Sequence, residues 1–247
     1  MTKLRLLIGL GVLSTFSTAY SNSGSLGVYV GMGAVASFQH VDNVHSTTTF
    51  NPPGAIPEEI NSFNIRKTTP GVSLSTGATL LKFASKRNLS VRGELEYKWY
   101  DNIQAKQMSV FAPPAANNYL NVDVQAQQAM FNLLLDNAIG TRTKFYFGGG
   151  VGAAFISTDT KYYLEPDLFS KSNNVTNFAW AGILGFNHKI SNKVGLNLAY
   201  NYTNLGKVDS GTVNASPSTI PGFFVFTKFS SDNLVAHNVV LGLTFGL

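Results

Sequence analysis

The sequence predicts an all-β protein, an eight-stranded antiparallel transmembrane up-and-down β-barrel with long extracellular loops. Three observations support this fold class. Apolar and polar residues alternate with period two in eight segments, and the connections between these segments are alternately long and short. Only 13% of the 247 residues are charged, yet no apolar run past the N-terminus is long enough for a membrane helix.

The N-terminus has the pattern of an export signal. Two basic residues precede an apolar core at 6–12, and small residues stand before a cleavage site after Ala19. We therefore expect residues 1–19 to be a cleavable signal peptide and residues 20–247 to form the outer-membrane β-barrel.

The composition excludes several classes of function. The chain has no cysteine, which rules out disulfides, thiolate zinc sites and cysteine nucleophiles. Its formal net charge of +5 is spread along the chain, so no nucleic-acid partner is expected. No cofactor or metal site is expected either, because nothing near His40 or His45 completes a set of ligands.

The eight predicted strands each have one apolar face. In the third segment Leu95, Tyr97 and Trp99 share a face, while the charged residues lie on the other. The segments cover residues 26–38, 69–84, 89–101, 121–136, 144–157, 175–188, 193–205 and 235–247. The fourth and sixth segments match the alternation least well.

A glycine-rich stretch, FYFGGGVGAAFIS at 145–157, belongs to the fifth strand. Phe147, Val151 and Phe155 lie on one face, and Gly150 is at the centre of the other. A dinucleotide-binding loop would require a helix directly after the glycines, but here the strand pattern continues. Because an eight-stranded barrel has little room inside, the bulky face is expected to point outward and the glycines inward.

The connections place the barrel in an outer membrane. Long connections cover 39–68, 102–120, 158–174 and 206–234, and short ones lie near 86–88, 137–143 and 189–192. Long loops on one side and tight turns on the other are typical of outer-membrane barrels.

Two aromatic belts are expected. The extracellular belt comprises Phe38, Trp99, Tyr100, Phe155, Phe178, Trp180, Tyr200 and Tyr202, and the periplasmic belt Phe145, Phe147, Phe186 and Phe245.

The last strand carries a family resemblance. The ending HNVVLGLTFGL, with Gly242, Phe245 and a terminal hydrophobe at Leu247, resembles the C-terminal sorting strand of bacterial outer-membrane barrels. Leucine departs from the phenylalanine that usually ends such strands. Together with FGGGVGAAF, it resembles the small opacity-type and rickettsial surface-antigen barrels of the OmpA/OmpX type. The resemblance implies a bacterial outer-membrane location at the cell surface, with membrane lipids, the barrel-assembly machinery and an extracellular or host-cell ligand as partners.

Charged residues in the third strand form a candidate lumen ladder. Arg92, Glu94, Glu96 and Lys98 share the inner face, where unpaired charges would be costly. We expect an interior salt-bridge ladder with a structural role, and Asp136, near the periplasmic mouth, either joins it or is solvated. The alternative is a carboxylate pair for acid–base catalysis.

A histidine and a serine give the second catalytic alternative. His188 precedes Ser191 by three residues, which loosely resembles the pair of lipid A deacylases, but we favour a structural turn. No enzyme activity is expected.

The fourth long connection contains an apolar stretch, IPGFFVFTKF. Its Phe223, Phe224 and Phe226 are a candidate contact surface, since exposed apolar clusters often mark binding sites. The alternative is a strand extension above the membrane whose aromatic side chains pack on neighbouring loops.

The first functional hypothesis is a non-enzymatic surface protein that presents loops for adhesion or surface contact. Alternatives are a narrow pore or conduit for small or hydrophobic solutes, and a barrel with only a structural role.

Overall fold

The computed structural model forms a closed β-barrel. It describes residues 27–51, 59–83, 88–108, 119–164, 167–216 and 224–246. The predicted signal peptide, residues 1–19, lies outside these residues. No helix of the described residues is long and apolar enough to cross a membrane.

Nine strands follow one another along the chain. They are β1 (Val28–Asn51), β2 (Glu59–Lys82), β3 (Leu89–Tyr100), β4 (Ile103–Met108), β5 (Tyr119–Ile139), β6 (Thr143–Leu164), β7 (Asp167–Lys189), β8 (Val194–Ala215) and β9 (Phe224–Gly246). β3 and β4 both pair with β5 and are separated only by residues 101–102, so together they occupy one strand position.

The strands close into a ring of eight positions. Each strand position pairs antiparallel with the next one along the chain, β1 pairs with β9, and β3 pairs with β5 to complete the circuit. Below the level at which β7 and β8 separate, the closed ring has no unpaired sheet edge, as a membrane-spanning sheet requires. The predicted fold class is confirmed.

The lower section of the ring lies between the short turns and the level of the Gly71–Tyr100 and Trp180–Asn204 pairs. Here every strand position has a paired neighbour on both sides. Exposed apolar side chains cover the outer wall. They include Met32, Phe38, Val72, Leu74, Leu95, Phe131, Leu133, Phe147, Val151, Phe155, Trp180, Leu184, Phe186, Leu198, Leu241 and Leu243. The inside–outside assignment of the glycine-rich strand is confirmed, since Tyr146 and Ala154 are buried on its inner face.

Most strand ends on the side of the long connections lie far beyond the predicted ones. β1 continues to Asn51 rather than ending near 38, and β8 continues to Ala215 rather than ending near 205. The long connections are therefore strand over most of their described length. His40 and His45, predicted to lie in or beside a loop, are both part of β1.

The upper section, above those two pairs, divides into two sheets. Among the described residues no ladder joins β7 to β8 above Trp180–Asn204, and none joins β2 to β4. One sheet has the order β4-β5-β6-β7, and the other has the order β2-β1-β9-β8. Together they form a β-sandwich that continues directly from the barrel wall.

The interior of the sandwich is apolar. Its buried side chains come from both sheets and include Val41, Val44, Ile103, Leu120, Val122, Val124, Ile156, Tyr162, Leu205, Val208, Val213, Val225, Phe229 and Leu234. The outward residues between them are mostly polar, for example Asp159 and Lys161 of β6. The upper section thus has the polarity of a water-soluble β-sandwich.

β-Bulges accompany the separation of β8 from β7. The β8–β9 register shifts three times between Asn204 and Thr212. Gly206 and Gly211 have φ values of 83° and 67°, which a residue with a side chain rarely adopts. Because bulges bend a strand and increase its twist, they direct the upper part of β8 away from β7.

Candidate functional site

The lower part of the lumen is crossed by a charged network centred on Arg92. Arg92 Nε donates to Asp136 Oδ1 at 3.2 Å, and Arg92 Nη1 donates to Glu94 Oε2 at 3.3 Å and to the Tyr29 hydroxyl at 2.6 Å. Tyr29 in turn donates to Glu94. The guanidinium lies 4.7 Å from the ring centroid of Tyr146. Strands β1, β3, β5 and β6 are thereby tied together across the lumen.

A second pair lies directly above this network. Lys98 Nζ donates to Glu96 Oε2 at 2.7 Å, and only 1% of the Lys98 side chain is exposed. Asn132 Nδ2 lies 3.3 Å from both Glu94 Oε1 and Glu96 Oε2, so its amide joins the two layers. The amide oxygen of Asn201 is assigned toward Lys98 Nζ at 2.6 Å. Arg92, Glu94, Glu96 and Lys98 are thus brought together inside the barrel.

Tyr100 lies above the ladder and faces inward. The prediction that placed it in the extracellular aromatic belt is wrong, because its side chain is fully buried. Its hydroxyl donates to Gln128 Oε1 at 3.1 Å and accepts from Asn238 Nδ2 at 3.3 Å. Strand alternation puts Tyr100 on the face of Lys98, opposite to that of Trp99.

Little space remains in this lumen. A cavity of about 30 Å3 lies against Arg92, Glu94, Glu96 and Tyr146, with room for about one or two water molecules. At Gly150, a Cβ atom would meet the Asn132 side chain. Glycine there leaves room for the Asn132 side chain of the neighbouring strand β5. Above these layers, the apolar sandwich interior covers the lumen, so the described interior is filled by side chains at three successive levels.

The candidate contact surface lies at the upper tip of β9. Phe224 begins the strand and is 41% exposed, while Phe226 is half-buried. Thr49 of β1 and Asn214 of β8 lie directly opposite Phe226 on its two sides. Phe223 lies outside the described residues. The stretch is therefore a strand extension, and its two described phenylalanines lie on the outer face of the sheet.

The His188–Ser191 alternative finds no supporting geometry in the described residues. Ser191 Oγ accepts from the backbone N–H groups of Lys193 and Val194 at 3.3 and 3.1 Å, while His188 Nδ1 contacts Thr143 Oγ1 at 2.9 Å. His188 and Ser191 thus have separate partners at the turn. Among the residues that the structure describes, no three of His, Asp and Glu form a group able to hold a metal ion.

The sorting-strand residues are partly described. Gly242 lies opposite Gly33 of β1, and a Cβ atom there would be 2.5 Å from the Met32 carbonyl oxygen. Phe245 lies opposite Val30 of β1 and Val194 of β8. Leu247 falls outside the described residues. Their role as a sorting signal stays a prediction.

The sequence interpretation missed the neutral partners of the ladder. Tyr29, Asn132 and Tyr146 all lie on inner faces by strand alternation, which could be read from the sequence. Their contacts with Arg92 and Glu94 depend on which strands are neighbours in the closed ring, and no single segment contains that information.

Comparison with known proteins identifies the family. Residues 8–244 match the family described as outer membrane protein beta-barrel domain, which is nearly the whole chain. This match agrees with the closed ring and with the apolar outer wall of the lower section.

Similarity to individual proteins is more limited. The chain is 32% identical over 109 residues to a candidate adhesin of Rickettsia conorii, a segment that covers 42% of this chain and 41% of that relative's length. Neisserial surface protein A is 14% identical, with 91% of this chain and 100% of that chain covered and a TM-score of 0.41. The outer membrane protein OprG from Pseudomonas aeruginosa is 14% identical, with 91% and 99% covered and a TM-score of 0.47.

Proposed function

The chain belongs to the outer membrane protein beta-barrel family and lies in the bacterial outer membrane, and from this premise we propose that it is a non-enzymatic surface protein whose upper section contacts an extracellular ligand. The lower section is embedded in membrane lipid. The upper section then stands outside the cell as a folded platform for adhesion or similar contact.

The observation that carries this proposal is the sandwich above a filled lumen. Its apolar interior keeps the two sheets packed, so the outer faces are held as rigid surfaces rather than as loose loops. Rigid surfaces lose less conformational entropy on binding than loops do. The similarity to a candidate adhesin supports the same function.

The contact surface that we propose is centred on Phe224 and Phe226, with Phe223 next to them in the chain. Aromatic side chains contribute large apolar area and are common at interface centres. Thr49 and Asn214 lie beside Phe226 in the strand register and supply hydrogen-bonding groups around the aromatic rings.

Binding of protein-displaying bacteria to host cells tests this function. The double variant Phe224→Ser/Phe226→Ser should bind less while keeping normal heat-modifiable migration in gels. Leu168→Ser is a matched control, since Leu168 is 55% exposed on the outer face of the opposite sheet. An equal loss of host-cell binding in the double variant and in Leu168→Ser, or no loss of binding in the double variant, would contradict the proposed surface.

The alternative function is a narrow pore or conduit. A through-pore would have to pass the Arg92 network, the Lys98–Glu96 pair and the sandwich interior, and the cavity beside the network is only about 30 Å3. We therefore expect no stable conductance of the purified protein in planar bilayers. Reproducible channel openings would favour the pore over surface contact. Absence of both conductance and host-cell binding would favour a purely structural barrel.

The last strand is proposed to be the signal for the barrel-assembly machinery. Phe245 and Gly242 lie near the periplasmic end of β9, as the sorting-strand resemblance expects. Phe245→Ser should lower the amount of heat-modifiable protein in the membrane. Lys193→Ser, in the neighbouring periplasmic turn, is the control that should leave the amount unchanged.

A further inference from the structure

A groove of about 540 Å3 lies on the outer wall where the lower section meets the upper one. It crosses strands β2, β1, β9 and β8. Its volume lies within the range of about 300 to 1,000 Å3 that is usual for small-molecule sites. No function described above uses it.

The groove combines an apolar side with a cationic one. Phe38 and Tyr202 line it from the aromatic belt, and Phe38 is half exposed. Arg66 and Lys67 of β2 also line it and are both exposed, but their side chains leave opposite faces of the strand, and only Arg66 shares the outer face of Phe38. Asp42 is the one carboxylate in the described lining. Because Asp42 bonds His40, the exposed guanidinium of Arg66 is the cationic group beside this apolar surface.

A hydrogen-bonded chain holds Arg66 in place. Arg66 Nε donates to His40 Nδ1 at 3.0 Å. Because a guanidinium is always protonated, His40 Nδ1 must be the acceptor, so a neutral His40 carries its proton on Nε2 and donates it to Asp42. Asp42 is thus already engaged by His40. Among the described residues none bonds the two terminal nitrogens of Arg66, which can therefore bind an anion in the bidentate manner.

We propose that this groove binds the phosphorylated headgroup of a lipid in the outer leaflet of the membrane. Arg66 binds the phosphate, and the lipid chains lie against the outer wall below Phe38. The proposal is independent of the adhesive function, because it concerns a different surface and a ligand in the bacterium's own membrane.

The position of the groove favours a lipid over a dissolved anion. Lipid-facing residues continue directly below it, with Met32 on β1 and Leu241 on β9 on the same outer wall as Phe38. Phosphates of outer-leaflet lipids lie just outside the hydrocarbon core, at the level of an aromatic belt. Basic side chains close to the membrane surface attract anionic lipid headgroups.

Native mass spectrometry of the full-length mature protein in dodecyl maltoside tests the proposal with three probes: phosphatidic acid, phosphatidylcholine with the same chains, and inorganic phosphate. We expect saturable binding of phosphatidic acid and much weaker binding of phosphatidylcholine. Arg66→Gln should weaken phosphatidic acid binding at least about tenfold, since it removes charge-assisted hydrogen bonds. Arg142→Gln, at a periplasmic turn, is the matched control and should bind normally.

A second variant has the opposite expected sign. Asp42→Asn removes the only described carboxylate of the groove and should tighten phosphatidic acid binding. Heat-modifiable migration shows whether Arg66→Gln folds normally. If it does not, Asp42→Asn still tests the proposal. Equal binding by Arg66→Gln and wild type, weaker binding by Asp42→Asn, or equal binding of the two lipids would overturn the proposal. Displacement of phosphatidic acid by an equal concentration of inorganic phosphate would identify a free-phosphate site and overturn the lipid assignment.

Discussion

The lower and upper sections are built from the same strands but bury opposite kinds of side chain. In β6, Phe147, Val151 and Phe155 face outward in the lower section, while Asp159 and Lys161 have the same outward orientation in the upper one. The inner face changes in the opposite sense, from glycine below to apolar side chains above. One continuous strand therefore meets two different environments on its outer side.

This difference follows from the surroundings of each section. Lipid surrounds the lower section, so its outer wall must be apolar, and its polar groups can only pair with one another inside. Water surrounds the upper section, so burying apolar side chains between its sheets is what stabilises it. The lower section should accordingly depend most on its charged network, and the upper section on its apolar packing.

The largest expected effect comes from Arg92→Leu. It leaves Glu94 buried without its cation and Asp136 with only the more distant Lys144 Nζ at 3.9 Å, and breaking a buried ion pair typically costs about 3–5 kcal/mol. Urea unfolding in lipid vesicles measures this loss. Lys171→Leu removes an exposed cation of the upper section and should change the unfolding free energy by less than about 1 kcal/mol. Similar costs for the two variants would mean that the network does not stabilise the barrel.

Phe229→Ala makes the corresponding change in the upper section. Phe229 is 1% exposed in the sandwich interior, and truncating a buried phenylalanine usually costs about 3 kcal/mol or more. We expect faster proteolysis of the upper section, with heat-modifiable migration of the barrel retained. Phe224→Ala, on the outer face of the same strand, should be cleaved by the protease at the wild-type rate. Loss of both readouts together would show that the two sections unfold as one unit.

The sequence predicted the lower section well because a single rule holds there. Each strand keeps its apolar face toward lipid, and the turns are short. The upper ends of strands such as β1 and β8 were missed because the apolar face changes sides, and β5 shows the same reversal. In β5, Val122 and Val124 are buried inside the sandwich, whereas Phe131 and Leu133 face outward from the barrel. This reversal explains why the fourth segment matched a fixed alternation poorly, and it is itself a readable signal of the boundary.

The candidate site was less predictable than the fold. The charged face of β3 followed from alternation, but its partners Tyr29 and Tyr146 come from strands far away in sequence. The groove at Arg66 could not be predicted, since its stretch of chain was interpreted as part of a loop. Only the strand register brings Arg66 opposite His40.

A smaller effect is expected for Gly150→Leu, which tests packing inside the lower section. A side chain there would enter the space of Asn132, and overpacking typically costs about 1–3 kcal/mol. Val151→Leu places its extra volume in lipid and should be nearly neutral. Equal urea midpoints of unfolding for Gly150→Leu and Val151→Leu would contradict the assigned orientation of β6.

The smallest effect is expected at the junction of β7 and β8. Asn177 Nδ2 donates to the carbonyl oxygens of Leu205 and Lys207 at 3.0 and 2.8 Å, across the gap between the two sheets. Asn177→Ala should cost about 1–2 kcal/mol and speed amide exchange locally in β8. Asn174→Ala, which removes a side chain on the same strand that contacts Ser157 of β6, should leave exchange in β8 unchanged. Identical exchange in β8 for Asn177→Ala and wild type would show that these bonds do not hold the sheets together.

Spin labels on one face of β6 test the change of environment most directly. The chain has no native cysteine, so Val151→Cys and Lys161→Cys each give a single labelling site, ten residues apart on the same outer face. In lipid vesicles, the label at 151 should be relaxed mainly by oxygen, which concentrates in lipid, and the label at 161 mainly by a water-soluble nickel chelate. The same preference at both positions would contradict a lipid-embedded barrel that carries a water-exposed sandwich.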